Sequence, residues 1–258
     1  MWYILIMLCG VYARKNLFTL SKTSNQAKYI NFMKTQDLVV CLGPAGTGKT
    51  LFACVEAIQQ LKEKNIDKII ITRPIVAVED EQLGFLPGNI NQKMDPWTRP
   101  IFDIFTEYYS MSEINLMMKN KVIEISPLAF MRGRTFKNAF IIADEMQNSS
   151  PNQMLMLTTR IGDNTKMVVT GDLKQSDKSA SNGLSDFIEK FRAYPKNSTI
   201  SLVELTCDDI KRSNTVKTIL EIYENKSKVC PVPKTFRKET ISDAALIPKS
   251  HLPRSTPF

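Results

Sequence analysis

The chain has 258 residues, of which 43% are hydrophobic and 23% charged, and its formal net charge is +8. This hydrophobic content is sufficient for a folded core, which excludes a chain that is disordered throughout. The five cysteines are scattered, which argues against a disulfide framework. The single histidine, His251, argues against a zinc site and a histidine-based triad. Any acid–base chemistry is therefore expected from carboxylates.

Basic residues are concentrated at the two ends of the chain. Residues 1–34 hold five Lys or Arg and no acidic residue, and residues 226–258 hold seven against two. Such ends can contact nucleic acid or serve as solubilising segments, and charge alone does not decide between them. The apolar run Trp2–Cys9 is far shorter than the ~20 residues of a membrane-spanning helix, so we expect no stable membrane insertion. A packed segment, a leader and a mis-set start codon stay open for this run.

A short helix is predicted from Thr23 to Met33, ahead of an apolar strand at Leu38–Leu42. Gln26 lies in its first turn, where the side-chain amide can bond the edge of an adenine base. The alternative is that this stretch only begins the helix, with Ser24 or Asn25 as the N-cap.

A glycine-rich turn joins the strand to a helix predicted at Leu51–Leu61, and it fits the pattern G-x-x-x-x-G-K-[ST] at every fixed position. The glycines allow successive N–H groups to point at one anion, which the positive end of the helix favours. Lys49 is expected to reach the β- and γ-phosphates of ATP, and the Thr50 hydroxyl to bind Mg²⁺. We predict nucleotide contacts along the run and at the next residue: Gly43, Pro44, Ala45, Gly46, Thr47, Gly48, Lys49, Thr50 and Leu51.

Two further strands are predicted at Asp67–Thr72 and Val122–Ile125. Between them lie a long connection, Ile75–Pro100, and a helix predicted at Ile101–Lys119. Connections of this length are usually functional. After the third strand comes Met131-Arg132-Gly133-Arg134, in which two arginines flank a glycine.

The strand predicted at Ala139–Ala143 ends in two carboxylates, Asp144 and Glu145. By itself such a pair is most often a solvated strand end, but downstream of a P-loop it matches the Walker B arrangement. Asp144 is expected to hold Mg²⁺, and Glu145 to polarise the attacking water. Parallel strands place ligands at their carboxyl ends, which is where both residues lie.

The rest of the chain continues the alternation of helices and strands. The strand at Lys166–Thr170 runs into the loop Gly171–Gln175, in which Gln175 either senses a γ-phosphate or belongs to a simple turn. The composition after Asn225, rich in proline and lysine, favours a disordered tail. The other predicted elements are a helix at Pro151–Arg160 with Ser150 as N-cap, a helix at Leu184–Arg192, a strand at Thr199–Leu205 and a helix at Asp208–Tyr223.

Eight stretches carry a family resemblance: Gly43–Thr50, Thr72–Pro74, Leu83–Gly88, Asp95–Pro100, Pro127–Thr135, Asp144–Asn148, Thr159–Gly162 and Val168–Asp172. Together they resemble the PhoH-like P-loop ATPases of bacteria, phages and some large viruses. The resemblance implies an α/β fold, a three-layer RecA-like P-loop NTPase with a mostly parallel sheet flanked by helices. It divides the chain into an N-terminal extension of unknown role (1–21), the ATPase domain (22–225) and the tail (226–258).

This family is similar to the first motor domain of superfamily 1 helicases, which implies roles for further residues. Gln26 becomes an adenine contact and Gln175 a γ-phosphate sensor. Arg212 lies in a segment that looks like the family's late Asp-x-x-Arg motif, which makes it a candidate arginine finger. Because only one RecA-like lobe fits here, we expect the finger, Arg212 or Arg134, to come from a neighbouring copy in a homo-oligomer such as a ring.

The resemblance implies a cytoplasmic, Mg²⁺-dependent ATPase that acts on RNA or single-stranded DNA or is stimulated by them; a virus-encoded protein would work in the host cytoplasm. One alternative is a kinase of a small metabolite, with Arg132 and Arg134 as lid arginines. Another is an ATP-dependent switch or scaffold with little turnover. A GTPase is disfavoured because the sequence has no Asn-Lys-x-Asp guanine motif.

Overall fold

The structure is a computed structural model that describes residues 20–74, 90–175, 182–194, 199–210, 218 and 222. Contacts divide the chain into two units, Met1–Ser213 and Asn214–Phe258, and every element below belongs to the first. The helices are α1 (Ser24–Thr35), α2 (Lys49–Lys62), α3 (Ile90–Phe105), α4 (Met111–Lys119), α5 (Pro151–Thr158) and α6 (Gly183–Ala193). The strands are β1 (Leu38–Leu42), β2 (Lys68–Thr72), β3 (Ile123–Ile125), β4 (Ala139–Ala143), β5 (Lys166–Gly171) and β6 (Ile200–Glu204).

The six strands form one parallel sheet in the order β3-β2-β4-β5-β1-β6. β1 and β4 are buried along their whole length, which explains why they read as continuous apolar runs in the sequence. β5 lies between β1, which leads into the glycine-rich turn, and β4, which ends in the two carboxylates. The prediction of an α/β fold with a parallel sheet is confirmed.

Each face of the sheet has its own core, because alternate strand residues point to opposite faces. On one face Val39 and Ile142 belong to a cluster with residues of α1, α2 and α3. On the other face Val40 and Ile141 belong to a cluster with residues of α5 and α6. Helices therefore cover both faces, and the predicted three layers are present.

The region between β2 and β3 differs from the prediction. The helix predicted at Ile101–Lys119 is two helices, because Ser110 begins a new one through a capping box with Glu113. In the predicted connection Ile75–Pro100, the part from Ile90 is already helical, and residues 75–89 lie outside the described residues.

Two smaller predictions at helix ends also need correction. The N-cap of α1 is Thr23 rather than Ser24 or Asn25, since Thr23 has extended backbone and its side chain accepts a hydrogen bond from the Gln26 N–H. Of the helix predicted at Asp208–Tyr223, the described beginning is a short 3-10 helix, Cys207–Asp209, and most of the remainder lies outside the described residues.

Within the described part of the chain, no helix combines the length and the apolar character that crossing a membrane requires. The apolar run Trp2–Cys9, the predicted tail 226–258 and the domain limits at 22 and 225 are not tested, so these stay predictions.

Candidate functional site

The turn between β1 and α2 has the tight backbone that its glycines predict. Gly43 and Gly48 have φ angles of 151° and 91°. A Cβ on Gly43 would lie 2.7 Å from the carbonyl oxygen of Leu205, and one on Gly48 would lie 2.8 Å from the ring of Phe52. Side chains are therefore excluded at both positions, and the backbone keeps the curled form that suits an anion.

Lys49, the first residue of α2, extends its side chain back over this turn. Its Nζ donates hydrogen bonds to the carbonyl oxygens of Gly43 (2.6 Å) and Pro44 (3.0 Å). Thr47 is buried and its hydroxyl donates to the same Pro44 carbonyl at 2.9 Å. A cationic group thus lies within the turn, beside the N-terminus of a helix that itself favours anions.

Three elements converge on one oxygen atom of Asp144. Its Oδ1 accepts hydrogen bonds from the Thr50 hydroxyl of α2 at 2.7 Å and from the Thr170 hydroxyl of β5 at 2.5 Å. The sequence predicted Thr50 and Asp144 as partners of one metal ion, and the structure brings them together. Thr170 was not predicted, although a polar residue at the end of the apolar run 167–169 was a usable signal.

These oxygen atoms suit Mg²⁺ better than a transition metal. Among the described residues, no three His, Cys, Asp or Glu side chains form a metal cluster. Mg²⁺ needs only one or two protein groups besides waters and substrate phosphates, and it prefers hard oxygen ligands. The Thr50 hydroxyl and the Asp144 carboxylate therefore fit Mg²⁺ bound together with a nucleotide.

Glu145 is held by a residue that the sequence analysis missed. Glu145 has a left-handed backbone, with φ 54° and ψ 40°, and its Oε2 accepts a hydrogen bond from Gln147 Nε2 at 2.6 Å. Gln147 is only 2% exposed, and its Oε1 accepts from the Asp172 N–H at 3.2 Å. Gln147 thus bridges the carboxylate after β4 to the backbone after β5. Its position three residues after Asp144 gave no signal, because the contact depends on the strand order.

Gln26 contacts the P-loop rather than solvent. It is 3% exposed, and its Nε2 donates to the carbonyl oxygens of Thr47 and Asp209, both at 3.1 Å. Its Oε1 accepts from the Lys22 N–H at 2.8 Å. Both amide hydrogens are therefore used inside the protein, and the adenine contact stays a prediction. Asn25 also donates to the Asp209 carboxylate, so α1 is joined to the segment after β6.

The two other predicted side chains within the described residues lie near different strands of the sheet. Gln175 ends a short 3-10 helix directly after β5, with its N–H bonded to the Asp172 carbonyl and its side chain exposed. Arg134 instead pairs through two hydrogen bonds with Glu124 of the edge strand β3. β3 is four strand spacings from β1, about 19 Å at ~4.8 Å per spacing. Arg134 is therefore remote from the P-loop of its own chain, and Arg212 lies outside the described residues.

The ion pair of Arg134 has a structural consequence. The hydrogen bond from Arg134 holds the pKa of the Glu124 carboxyl below its ordinary value, so the pair stays charged at neutral pH. The guanidinium also lies 4.5 Å from the centre of the Phe136 ring. Arg134 thus fastens the segment before β4 to the edge of the sheet.

A parallel sheet with a glycine-rich turn after one inner strand and paired carboxylates after another defines a P-loop nucleotide-binding protein of the α/β class. The family model described as PhoH-like protein matches residues 19–224. The chain belongs to this family, and the resemblance seen in the sequence is confirmed.

Curated relatives agree with this assignment. The chain is 43% identical over 208 residues to a PhoH-like protein of Bacillus subtilis (strain 168), which covers 80% of this chain and 64% of that protein. It is 36% identical over 208 residues to Protein PhoH of Escherichia coli (strain K12), covering 79% and 58%. The chain thus spans less than two thirds of the length of these relatives. Among solved structures, the large terminase from a thermophilic bacteriophage is similar with a TM-score of 0.46 at 12% identity, over 77% of this chain and 49% of that chain.

Proposed function

We propose that the chain binds ATP together with Mg²⁺ and hydrolyses it, and that RNA or single-stranded DNA stimulates the hydrolysis. One observation carries the proposal: Thr50 and Asp144, 94 residues apart in the chain, meet at 2.7 Å beside the turn that holds Lys49. In P-loop proteins a lysine binds the nucleotide phosphates, and a threonine hydroxyl and an aspartate carboxylate bind their metal ion.

Each side chain has a defined task in this reaction. Lys49 exchanges the Gly43 and Pro44 carbonyls for the β- and γ-phosphates, and Thr50 and Asp144 hold Mg²⁺. Held by Thr50 and Asp144, Mg²⁺ would supply positive charge that neutralises the charge developing on the phosphates. Glu145 orients the attacking water and accepts its proton.

Family membership, the strand order and one hydrogen bond support the remaining assignments. Gln175 follows β5, and β5 is the neighbour of β4, the strand that Asp144 follows; this strand order supports the proposed role of Gln175 as γ-phosphate sensor. Gln147 keeps Glu145 in place through its amide. The metabolite kinase is less well supported, because Arg134, one of its two candidate lid arginines, is bound to Glu124 in this arrangement.

The test is steady-state ATP hydrolysis measured with and without RNA, single-stranded DNA and duplex DNA. We expect release of inorganic phosphate that depends on Mg²⁺ and increases with a single strand. Phosphate transferred to an acceptor molecule would instead indicate a kinase. ATP binding without turnover under all conditions would indicate the switch or scaffold.

The proposal includes a homo-oligomer in which a neighbouring copy supplies the arginine finger. Since Arg134 is paired within its own chain, Arg212 is the better candidate. Arg212→Ala should lower turnover by about 10³-fold with little effect on nucleotide affinity, because a finger acts on transition-state charge. Arg134→Ala is the matched control. Sedimentation with an ATP analogue that shows only monomer, alongside full turnover, would refute the oligomer.

A further inference from the structure

The short 3-10 helix between β3 and β4 exposes an aromatic ring on a fixed support. Leu128 and Met131 of this helix are buried in the core, whereas Phe130 between them is 58% exposed. The Phe130 N–H donates to the Pro127 carbonyl at 2.9 Å, so the backbone of the turn is held by its own hydrogen bonds. Phe130 is therefore presented to solvent at a defined position.

The following residues hold the turn from its other side. Arg134 is bound to Glu124, and its N–H donates to the Met131 carbonyl at 3.1 Å. Arg160, two residues after α5, donates from Nη1 to the Arg134 carbonyl at 3.0 Å. The Arg134 end of the segment is thus attached to the edge strand β3 and to the residue that follows the C-cap of α5. A rigid aromatic group loses little conformational freedom when a ligand stacks on it.

Arg132 differs from its neighbour Arg134, although the two flank the same glycine. Arg132 is exposed, and within the described residues it has neither a hydrogen bond nor an ion pair. Gly133 between them has a φ of 77°, and nothing lies within 4 Å of the place where a Cβ would stand. A guanidinium without a hydrogen bond or ion pair among the described residues, and an open backbone position, therefore follow Phe130 within three residues of the chain.

Further positive charge lines the same edge of the sheet. In the described part of the chain, a cavity of about 460 Å³ beside β3 is lined by Lys68, Lys121 and Arg134, with Glu124 as its one acidic residue and Met118, Ile123 and Ile125 as its apolar ones. Three cations and one anion leave a lining charge of +2. Arg132 is not in this lining, but it places a further positive charge two residues before Arg134 in the chain. A surface that combines a cationic edge with an exposed ring matches a ligand that carries both phosphates and flat bases.

We propose that single-stranded nucleic acid contacts this surface, with a base stacked on Phe130 and phosphates near Arg132 and Lys121. We call these three residues the β3-edge surface. The inference rests on the nucleic-acid coupling proposed above. The inference specifies where the nucleic acid binds: at the β3 edge of the sheet, the edge farthest from β6. This edge is four β-strand spacings, about 19 Å, from β1.

The test is fluorescence anisotropy of the whole chain with labelled oligo-U and oligo-dT strands at several salt concentrations. Phe130→Ala should weaken binding by between about 5-fold and about 140-fold, the range for losing one stacked base. Phe130→Trp should keep the affinity. Arg132→Ala should reduce the slope of log affinity against log salt by about 0.7, the value for one phosphate contact on a single strand.

Two matched controls lie elsewhere on the molecule. Leu155→Ala removes an apolar side chain that is 64% exposed on α5, and Lys190→Ala removes a lysine that is 74% exposed on α6. Neither should change affinity or salt slope. Affinity for an ATP analogue should be unchanged in all of these variants, which shows that they fold.

The outcomes separate this proposal from the proposed function. If the unmodified chain binds neither oligo-U nor oligo-dT, both the proposed stimulation by nucleic acid and the β3-edge surface are wrong. If it binds but the Phe130 and Arg132 variants equal the controls, only the surface is wrong. Equal competition by poly-glutamate would show a general anion surface, and altered sedimentation with unchanged strand binding would show a subunit interface; either result overturns the proposal.

Discussion

Replacing Gln147 with methionine tests how the candidate general base is held. Gln147→Met keeps the length of the side chain but removes the donor to Glu145 and the acceptor for the Asp172 N–H. A hydrogen bond to a charged group contributes about 1.5–3 kcal/mol, and an unsatisfied buried N–H costs about 1–3 kcal/mol. Because Glu145 is only partly buried and methionine adds apolar contact, we expect the free energy of unfolding to fall by about 2–4 kcal/mol.

The same variant should lower ATP turnover more than ATP affinity. A general base typically accelerates a reaction by 10²- to 10⁴-fold. Misplacing Glu145 should therefore lower the rate of hydrolysis by about tenfold or more. Urea unfolding followed by circular dichroism measures the first effect, and phosphate release at saturating ATP measures the second. Gln59→Met is the control, since Gln59 makes a comparable bond to Glu63 on the surface of α2 and should cost less than about 0.5 kcal/mol. Wild-type stability and turnover in Gln147→Met would refute the bridging role.

The remaining predictions concern the metal, the P-loop and the core. Glu145→Gln should still bind ATP while hydrolysis falls by about 10²-fold or more, whereas Asp144→Asn should also lose Mg²⁺-dependent binding; identical behaviour of the two would make Glu145 part of the metal site. Gln26→Ala should weaken binding of ATP and of inorganic tripolyphosphate by the same factor, because its amide supports the Thr47 carbonyl; a loss confined to ATP would establish the adenine contact instead. Glu56→Gln should stabilise the protein at pH 8 and lose this advantage at pH 4, as urea unfolding at both values would show. Burial raises the pKa of Glu56, so the stability linked to its proton is present below its unfolded pKa, about 4.3, and is lost as pH rises through the folded value.

Local sequence patterns were sufficient for the elements that carry the P-loop and the carboxylates. β1 and β4 are short apolar runs buried on both faces, and the chemical groups follow them directly in the chain. The break between α3 and α4 was missed because residues 106–109 contain neither glycine nor proline. The capping box of Ser110 and Glu113 was present in the sequence and would have revealed it.

Thr170 stands out in the sequence as a polar residue after an apolar run, but its contact with Asp144 and that of Gln147 with the Asp172 N–H could not be predicted from local patterns. Both depend on β5 lying between β1 and β4, and an apolar strand carries no information about its neighbours in a parallel sheet. Similarly, nothing in Met131-Arg132-Gly133-Arg134 distinguishes the two arginines. Only the position of Glu124 on β3 shows that Arg134 is the paired one.

The arrangement around Asp144 explains why the two carboxylates should respond differently to substitution. A hydroxyl has one donor hydrogen and two acceptor lone pairs, so Thr50 can donate to Asp144 and still offer an oxygen lone pair to a metal ion. Thr170 donates to the same Oδ1 and thereby fixes the orientation of the carboxylate. In Asp144→Asn the amide oxygen can still accept from both threonines, which leaves the NH₂ group in the place of the second carboxylate oxygen. Two hydrogens there repel a cation, and the loss falls on the metal ion. Glu145 is held instead through the amide of Gln147, so its replacement leaves the Thr50–Asp144 pair intact.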